Sequence, residues 1–349
     1  MDTEMEVENL ENVTVAETEP AVAQQHRLSS IMPIIIFSYT GVLIRLGLAF
    51  LGNNQAPLSA AFWPNFVGCF IMGFVVEQKI HIHQHFAQLY IGLTTGLCGS
   101  ITTFSGVIFA QLYIGLTTGL CGSITTFSGV MYNSCVALFG PSSHLTYPIS
   151  NYLSVIISVF SASFIGFIIG RHASIFILSL SSKSTKKVQY LNKSVQIWLF
   201  PILIFISIPL LVLLAVLLPV SHYTYFIYSI IFAPFGSLTR YILSIVFNIN
   251  SNFPLGTLLA NVIGSYIYLG MVAINQYVNI TSPLVKQIII SIIQGYCGCL
   301  TTVSTFILEL DTIKKRRYIY AYAIITVLFI QIVYIILAAK FSFLCSPQS

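Results

Sequence analysis

From residue 31 onward the chain is a succession of long apolar runs with short polar breaks. The runs occupy residues 31–51, 58–76, 150–170, 197–219, 224–247, 254–274, 284–308 and 318–339. Each approaches or exceeds the ~20 residues a helix needs to cross the hydrocarbon of a bilayer. A further crossing comes from a Gly/Thr-rich region at 86–131, and counting it once predicts nine spans. The expected architecture is an all-α polytopic membrane protein.

Two repeats are written into this pattern. Residues 86–107 read FAQLYIGLTTGLCGSITTFSGV, and residues 109–130 repeat them identically at a period of 23. A larger, diverged repeat relates the two ends of the chain. Arg45, Asn65 and Thr102-Thr103 in the first half correspond to Arg240, Asn261 and Thr301-Thr302 in the second. The Arg-to-Asn spacing is 20 residues in one half and 21 in the other. From Asn to the threonines it is 37 against 40, but 60 when counted to the second copy, Thr125-Thr126. One 23-residue unit is therefore surplus.

Four spans plus a lone linker span place the second half upside down, as an inverted repeat about an axis in the membrane plane. A surplus copy that crossed by itself would make the halves parallel, so one copy is expected not to form a separate span. The chain then divides into an acidic, disordered tail (1–30), a first repeat (31–170, with the duplication at 86–130) and a basic loop with the linker helix (171–223). A second repeat (224–340) and a short tail (341–349) follow.

Composition supports a bilayer as the main solvent. Hydrophobic types make up 56% of the chain and charged types 7%, against about 25% charged in an ordinary soluble domain. Seven of the ten acids fall in the first nineteen residues, leaving Glu77, Glu309 and Asp311. The net charge of +5 averages an acidic tail and a basic remainder, and gives no case for nucleic acid. The tail lacks the apolar run of a secretory signal. Basic residues cluster at 171–193 and at 314–317, which puts these loops and the N-terminus on the cytoplasmic side. The seven cysteines lack zinc-finger spacing and read as small buried hydrophobes. His81, His83 and His85 alternate as in a metal tract, but read as a solvated polar loop. No nucleophile–base set or phosphate loop stands out, so an enzyme is not expected.

The candidate chemistry lies inside the spans. An intramembrane Arg costs at least about 2.5 kcal/mol at the centre, so Arg45 and Arg240 either snorkel to headgroups or hold positive charge near an anion vestibule. Asn65 and Asn261 each need partners; they either join helices or turn an NH₂ toward a passing anion. The pattern Gly-x-x-Gly-x-x-Thr-Thr occurs as Gly96…Thr103, Gly119…Thr126 and Gly295…Thr302. Glycines and threonines weaken a helix, and broken helices at membrane depth are tolerated where they line a cavity or meet an ion. Close packing of small residues explains the same pattern.

Together these residues resemble the fluoride channel family (Fluc/CrcB in bacteria, FEX in eukaryotes), over about residues 31–170 and 224–339. The arrangement of two halves and a linker is similar to the eukaryotic branch, and implies a monomeric pseudo-dimer in the plasma membrane. The resemblance implies a structural sodium ion between the halves. Its ligands would be backbone carbonyls of Gly99 or Gly122, Thr102 or Thr125, Gly298 and Thr301. It also implies pores lined by two phenylalanines, one from each half.

Here the chain departs from the family. The first half has Phe104 or Phe127 at the first ring position and Val107 or Val130 at the second. The second half has Val303 and then Phe306. If each pore pairs opposite positions of the two halves, one pore keeps both rings and the other has two valines. Fluoride needs donors to replace its water; Ser105 or Ser128, Ser304 and Thr305 stand beside the rings, with Asn65 and Asn261 nearby. The expectation is passive fluoride export through one pore. An ion-coupled transporter of a small anion is one rival. A scaffolding protein, or a variant inactivated by the insertion, is the other.

Overall fold

A computed structural model describes residues 30–51, 59–93, 111–140, 147–181, 193–217, 224–249 and 252–340. Among them every regular element is helical. In the first half α1 is Ile31–Ala49, α2 is Phe62–Leu93, α3 is 111–124, α4 is Phe127–Phe139 and α5 is Pro148–Ser181. The linker is α6, Lys193–Leu217. In the second half α7 is Thr224–Phe247, α8 is Leu255–Tyr277, α9 is 283–300, α10 is Ser304–Thr312 and α11 is Arg316–Lys340.

Among the described residues, seven helices are long and apolar enough to cross a membrane, with 111–139 and 283–312 each counted across their breaks. The nine crossings expected from sequence include two more, the runs in α2 and α6, which the described residues leave untested as spans.

The helices are inside-out compared with those of a soluble protein. Phe205 is 80% exposed while Arg240 is 1% exposed. The buried stripe of α1 is Ile34, Ser38, Gly41, Val42, Arg45 and Leu46, at helical spacing and rich in small and polar residues. α8 repeats this with Thr257, Ala260, Asn261, Gly264, Ser265 and Tyr268. In lipid the tails are as apolar as leucine, so small and polar side chains mark the contact faces.

Pairing directions follow from contacts. A Cβ on Gly166 would meet the Phe66 carbonyl, and one on Gly170 the Phe70 carbonyl. Arg171 pairs with Glu77 at 3.0 Å. α2 and α5 therefore run parallel in close contact. The chain between them must cross back an odd number of times, and 111–139 supplies such a return. The first eight residues of the first 23-residue copy continue α2, which at 32 residues is ~48 Å long. This places His81, His83 and His85 in a helix, where a loop was expected. The remainder of the first copy, 94–107, lies outside the described residues.

In the second half Tyr322 bonds Glu309, which also holds Thr257, while Tyr334 bonds Ser265. α8 and α11 are thus parallel as well. α1 and α7 are antiparallel: Phe50 stacks on Phe226 at 5.8 Å, and Val42 and Leu46 share a cluster with Ile230 and Ala233. The short helices are exchanged between halves. α4 packs on α8 and α11, and α10 packs on α2 and α5.

Candidate functional site

The centre of the molecule is where α3 and α9 stop. Both pass through a π-helical turn, Gly115–Cys121 and Ile292–Cys297, before a final short α turn. Both end on an extended threonine, Thr125 at φ −83°, ψ 149° and Thr301 at φ −82°, ψ 148°. Of the duplicated segments, the second copy (109–130) builds this centre. Gly99, Thr102, Phe104 and Ser105 of the first copy lie outside the described residues.

A broken helix leaves orphan amides and carbonyls that cost free energy in a dry interior. Here each half satisfies the other's amides. Thr301 Oγ1 accepts from the N–H groups of Phe127 and Ser128, both at 3.2 Å. Thr125 Oγ1 accepts from the N–H groups of Val303 and Ser304, both at 3.2 Å. Each threonine also donates back into its own helix, Thr125 to Cys121 O at 3.1 Å and Thr301 to Cys297 O at 3.0 Å. One donor and two acceptor sites, the whole capacity of a hydroxyl, are thus filled.

The asparagines clamp the break within each half. Thr126 N–H donates to Asn65 Oδ1 at 2.9 Å, and Asn65 Nδ2 donates to Thr126 O at 3.2 Å. Thr302 N–H donates to Asn261 Oδ1 at 2.8 Å, and Asn261 Nδ2 donates to Thr302 O at 3.2 Å. Of the two uses open from sequence, the structure shows the amides engaged with backbone.

The arginines take the carbonyls. Arg45 and Arg240 are 3% and 1% exposed, at the junction of the halves. This differs from both a headgroup and a vestibule position. The physical reason is that the breaks leave carbonyls free, and a guanidinium carries five donors to meet them. Arg240 donates to Gly122 O at 3.0 Å and also to Thr118 O and Cys299 O. Arg45 donates to Ser123 O at 2.8 Å and to Gln294 O. A side chain at Gly122 would run into the Arg240 guanidinium, and one at Gly298 into that of Arg45.

These contacts bear on the expected sodium ion. Gly122 O already serves Arg240, whose Nη1 also lies 3.5 Å from Thr301 O. A further cation among these oxygens would meet guanidinium charge at short range. With two of the four expected oxygens facing a guanidinium, the donor set as arranged does not fit one.

Beside the break lie the rings. Phe127 of the first half meets Phe306 of the second edge-on, centroids 5.6 Å apart and planes at 79°. Phe160 of α5 closes the group, 5.8 Å from Phe127 and 6.0 Å from Phe306. Tyr322 stands 5.3 Å beyond Phe306. Ser128 and Ser304 are adjacent, with their hydroxyls 3.0 Å from Thr301 Oγ1 and 3.1 Å from Thr125 Oγ1. Thr305 N–H bonds the Thr302 hydroxyl at 3.3 Å. Val130 and Val303, at the other pair of ring positions, are fully buried in the same core.

Sequence reasoning passed over Phe160, Tyr322, Asn248, Thr257 and Glu309. Glu309, one of the three acids beyond the tail, lies in the last turn of α10, inside the 283–312 span. The available signal was its place one helical turn after Phe306.

The chain is 30% identical to fluoride export protein 1 of Candida albicans over 327 residues, covering 85% of this chain and 76% of that protein. It is 28% identical to the protein of that name from Neurospora crassa, covering 84% of this chain and 63% of that one. Over 85 residues it is 41% identical to fluoride-specific ion channel FluC 2 of Staphylococcus haemolyticus, covering 24% of this chain and 65% of that one. No solved structure matches. The model of the family described as CrcB-like protein, Camphor Resistance (CrcB), matches residues 32–113 and 227–342, one segment in each half. With both halves matched and a multi-pass helical fold, the chain belongs to the CrcB-like family.

Proposed function

We propose that the chain is a passive fluoride channel that exports fluoride from the cytoplasm through one path, at Phe127 and Phe306. The observation that carries this reading is the edge-on ring pair contributed by both halves, 5.6 Å between centroids, beside a cluster of serine and threonine hydroxyls. Ring edges are electropositive, and rotatable hydroxyls supply donors that replace water around a small anion. The names of its fungal and bacterial relatives support fluoride as the ion. The valine pair offers neither ring edge nor donor.

The same reading takes nine crossings, an inverted repeat, a cytoplasmic N-terminus, the plasma membrane and a monomeric pseudo-dimer. Antiparallel α1 and α7 support the inversion, as do the reciprocal threonine caps. With anions driven outward by about 2.3 kcal/mol per 100 mV of inside-negative potential, export needs no further energy source.

The test is efflux from liposomes holding the purified chain, read with a fluoride electrode against chloride. The expected result is fluoride flux without saturable coupling to a sodium or proton gradient, and no chloride flux. Exchange that requires a second gradient favours the transporter. Absence of fluoride flux from both the full chain and a form lacking residues 86–108 removes the channel reading.

A further inference from the structure

Four basic residues, Lys314, Lys315, Arg316 and Arg317, stand exposed between α10 and the first turn of α11. Among the described residues none of them forms an ion pair. The acid just before them, Asp311, is held by Arg171 at 3.1 Å. Arg317 turns to its own neighbour, lying 4.9 Å over the Tyr318 ring and donating to its hydroxyl at 3.2 Å. α11 has no acid in its first turn. A helix N-terminus carries partial positive charge, so cations there are unfavourable until an anion joins them.

The same chain supplies a counter-charge. Asp2, Glu4, Glu6, Glu8, Glu11, Glu17 and Glu19 lie ahead of the described residues, and no Lys or Arg interrupts them. They join the molecule on the face that carries the cluster. α1 and α7 are antiparallel. α8 turns back from α7 through a tight turn, in which Gly256 N–H donates to Asn248 Oδ1 at 2.6 Å. α8 and α11 are parallel, so α1, α8 and α11 all begin on one face. Glu19 stands eleven residues before Ser30. Eleven residues reach at most about 36–40 Å, or roughly three helix diameters.

The cluster also lies near the ring path. α10 carries Phe306 and leads into it, and Tyr322, 5.3 Å beyond Phe306, lies in the second turn of α11. Exposed cations beside an ion path raise the local anion concentration, and acids that cover them lower it.

We propose that the acidic segment 1–19 docks on Lys314–Arg317 and restrains fluoride entry to the ring path. This rests on the fluoride channel reading above. Attachment to α1 gives the segment a high effective concentration at the cluster. Salt screens the attraction, so ionic strength sets the restraint.

The experiment has two readouts on the full chain. The first is zero-length carbodiimide cross-linking of carboxylates to lysines, mapped by mass spectrometry of the monomer band. It is run at ionic strengths of about 0.01 M and about 1 M, where charges act over ~30 Å and ~3 Å. The expected result is joining of the tail acids to Lys314 or Lys315 at low salt, lost at high salt, with Lys286 unlinked. Lys286 lies at the opposite face, where Gln287 accepts from Tyr225 N–H. No tail cross-link to Lys314 or Lys315 overturns the proposal, as does a tail joined only to Lys183, Lys186 or Lys187. Loss of the cross-links at low salt when anionic phospholipid is added assigns the cluster to lipid and also overturns it.

The second readout is fluoride efflux from liposomes. Amidating the tail (D2N, E4Q, E6Q, E8Q, E11Q, E17Q and E19Q together) should raise efflux roughly threefold or more at low salt and leave it unchanged at high salt. In a chain that also carries K314Q, K315Q, R316Q and R317Q, the same amidation should change nothing. Efflux that is unchanged or lowered by amidation at low salt overturns the restraint. If the loop variant does not fold, the salt dependence of the amidated chain decides. If the unaltered chain carries no fluoride, the channel reading falls separately, and the cross-links alone judge the docking.

Discussion

The two halves agree at the break and part company one turn later. At the break, Thr125 and Thr301 share backbone angles to within a degree, the same return bond, and the same pair of amides across the junction. Asn65 and Asn261 make the same clamp. Beyond it the first half continues with Phe127, Val130 and Asn133, and the second with Val303, Phe306 and Glu309. The difference separates what holds the halves together from what an ion meets. A cap that serves the opposite half cannot drift alone without exposing that half's amides. A ring position can change while its partner position on the other path stays intact.

The sharpest way to break this comparison is to make the ring path resemble the valine path. F127V and F306V are each expected to bring fluoride efflux to the level of empty liposomes, with the protein still monodisperse. V130F and V303F should leave efflux through the first path in place. If F306V retains half of the flux, the valine side conducts too and the halves are functionally alike.

The next effect is one of stability, and it should be equal in the two halves. T125V strands the amides of Val303 and Ser304; T301V strands those of Phe127 and Ser128. An unsatisfied buried donor costs about 1–3 kcal/mol, so both variants should lower the unfolding temperature, and by similar amounts. Unequal shifts in thermal unfolding would mean that only one cap carries weight.

A smaller effect is expected from deleting residues 86–108. The second copy supplies α3 and α4, and the first eight residues of the other copy only prolong α2. Flux and unfolding temperature should be retained, because among the described residues the first half's bonds across the break come from the second copy. A large loss in either measurement would show that the first copy supports the first half in a way the second half does without.

These cases also show what the sequence could disclose. Apolar run length made α1, α5, α7, α8 and α11 legible, and the Gly/Thr pattern made both breaks legible, because those signals are local. The roles of Arg45 and Arg240 were not legible, since their partners are backbone carbonyls, which every residue carries. Nor was the choice between copies, as identical residues give identical patterns and only the surroundings of 109–130 separate them. Glu309 escaped for a third reason. Its donors Asn248, Thr257 and Tyr322 are brought together by three different elements, so no spacing along the chain announces them.

The least effect belongs to the bond that ties the halves at the surface. Arg171 of α5 reaches Glu77 of α2 at 3.0 Å and Asp311 of α10 at 3.1 Å, joining first half to second. The groups are 36%, 16% and 45% exposed, so solvent screens them and each pair contributes about 0–1 kcal/mol. R171Q should lower the unfolding temperature slightly, and the difference from the unaltered chain should shrink as salt is raised. Fluoride efflux should stay unchanged, because neither pair touches the rings. Were efflux to fall at unchanged stability, the charge of Arg171 would be acting on the ion near α10. The asymmetry between the halves would then extend from the ring positions to the surface beyond Glu309.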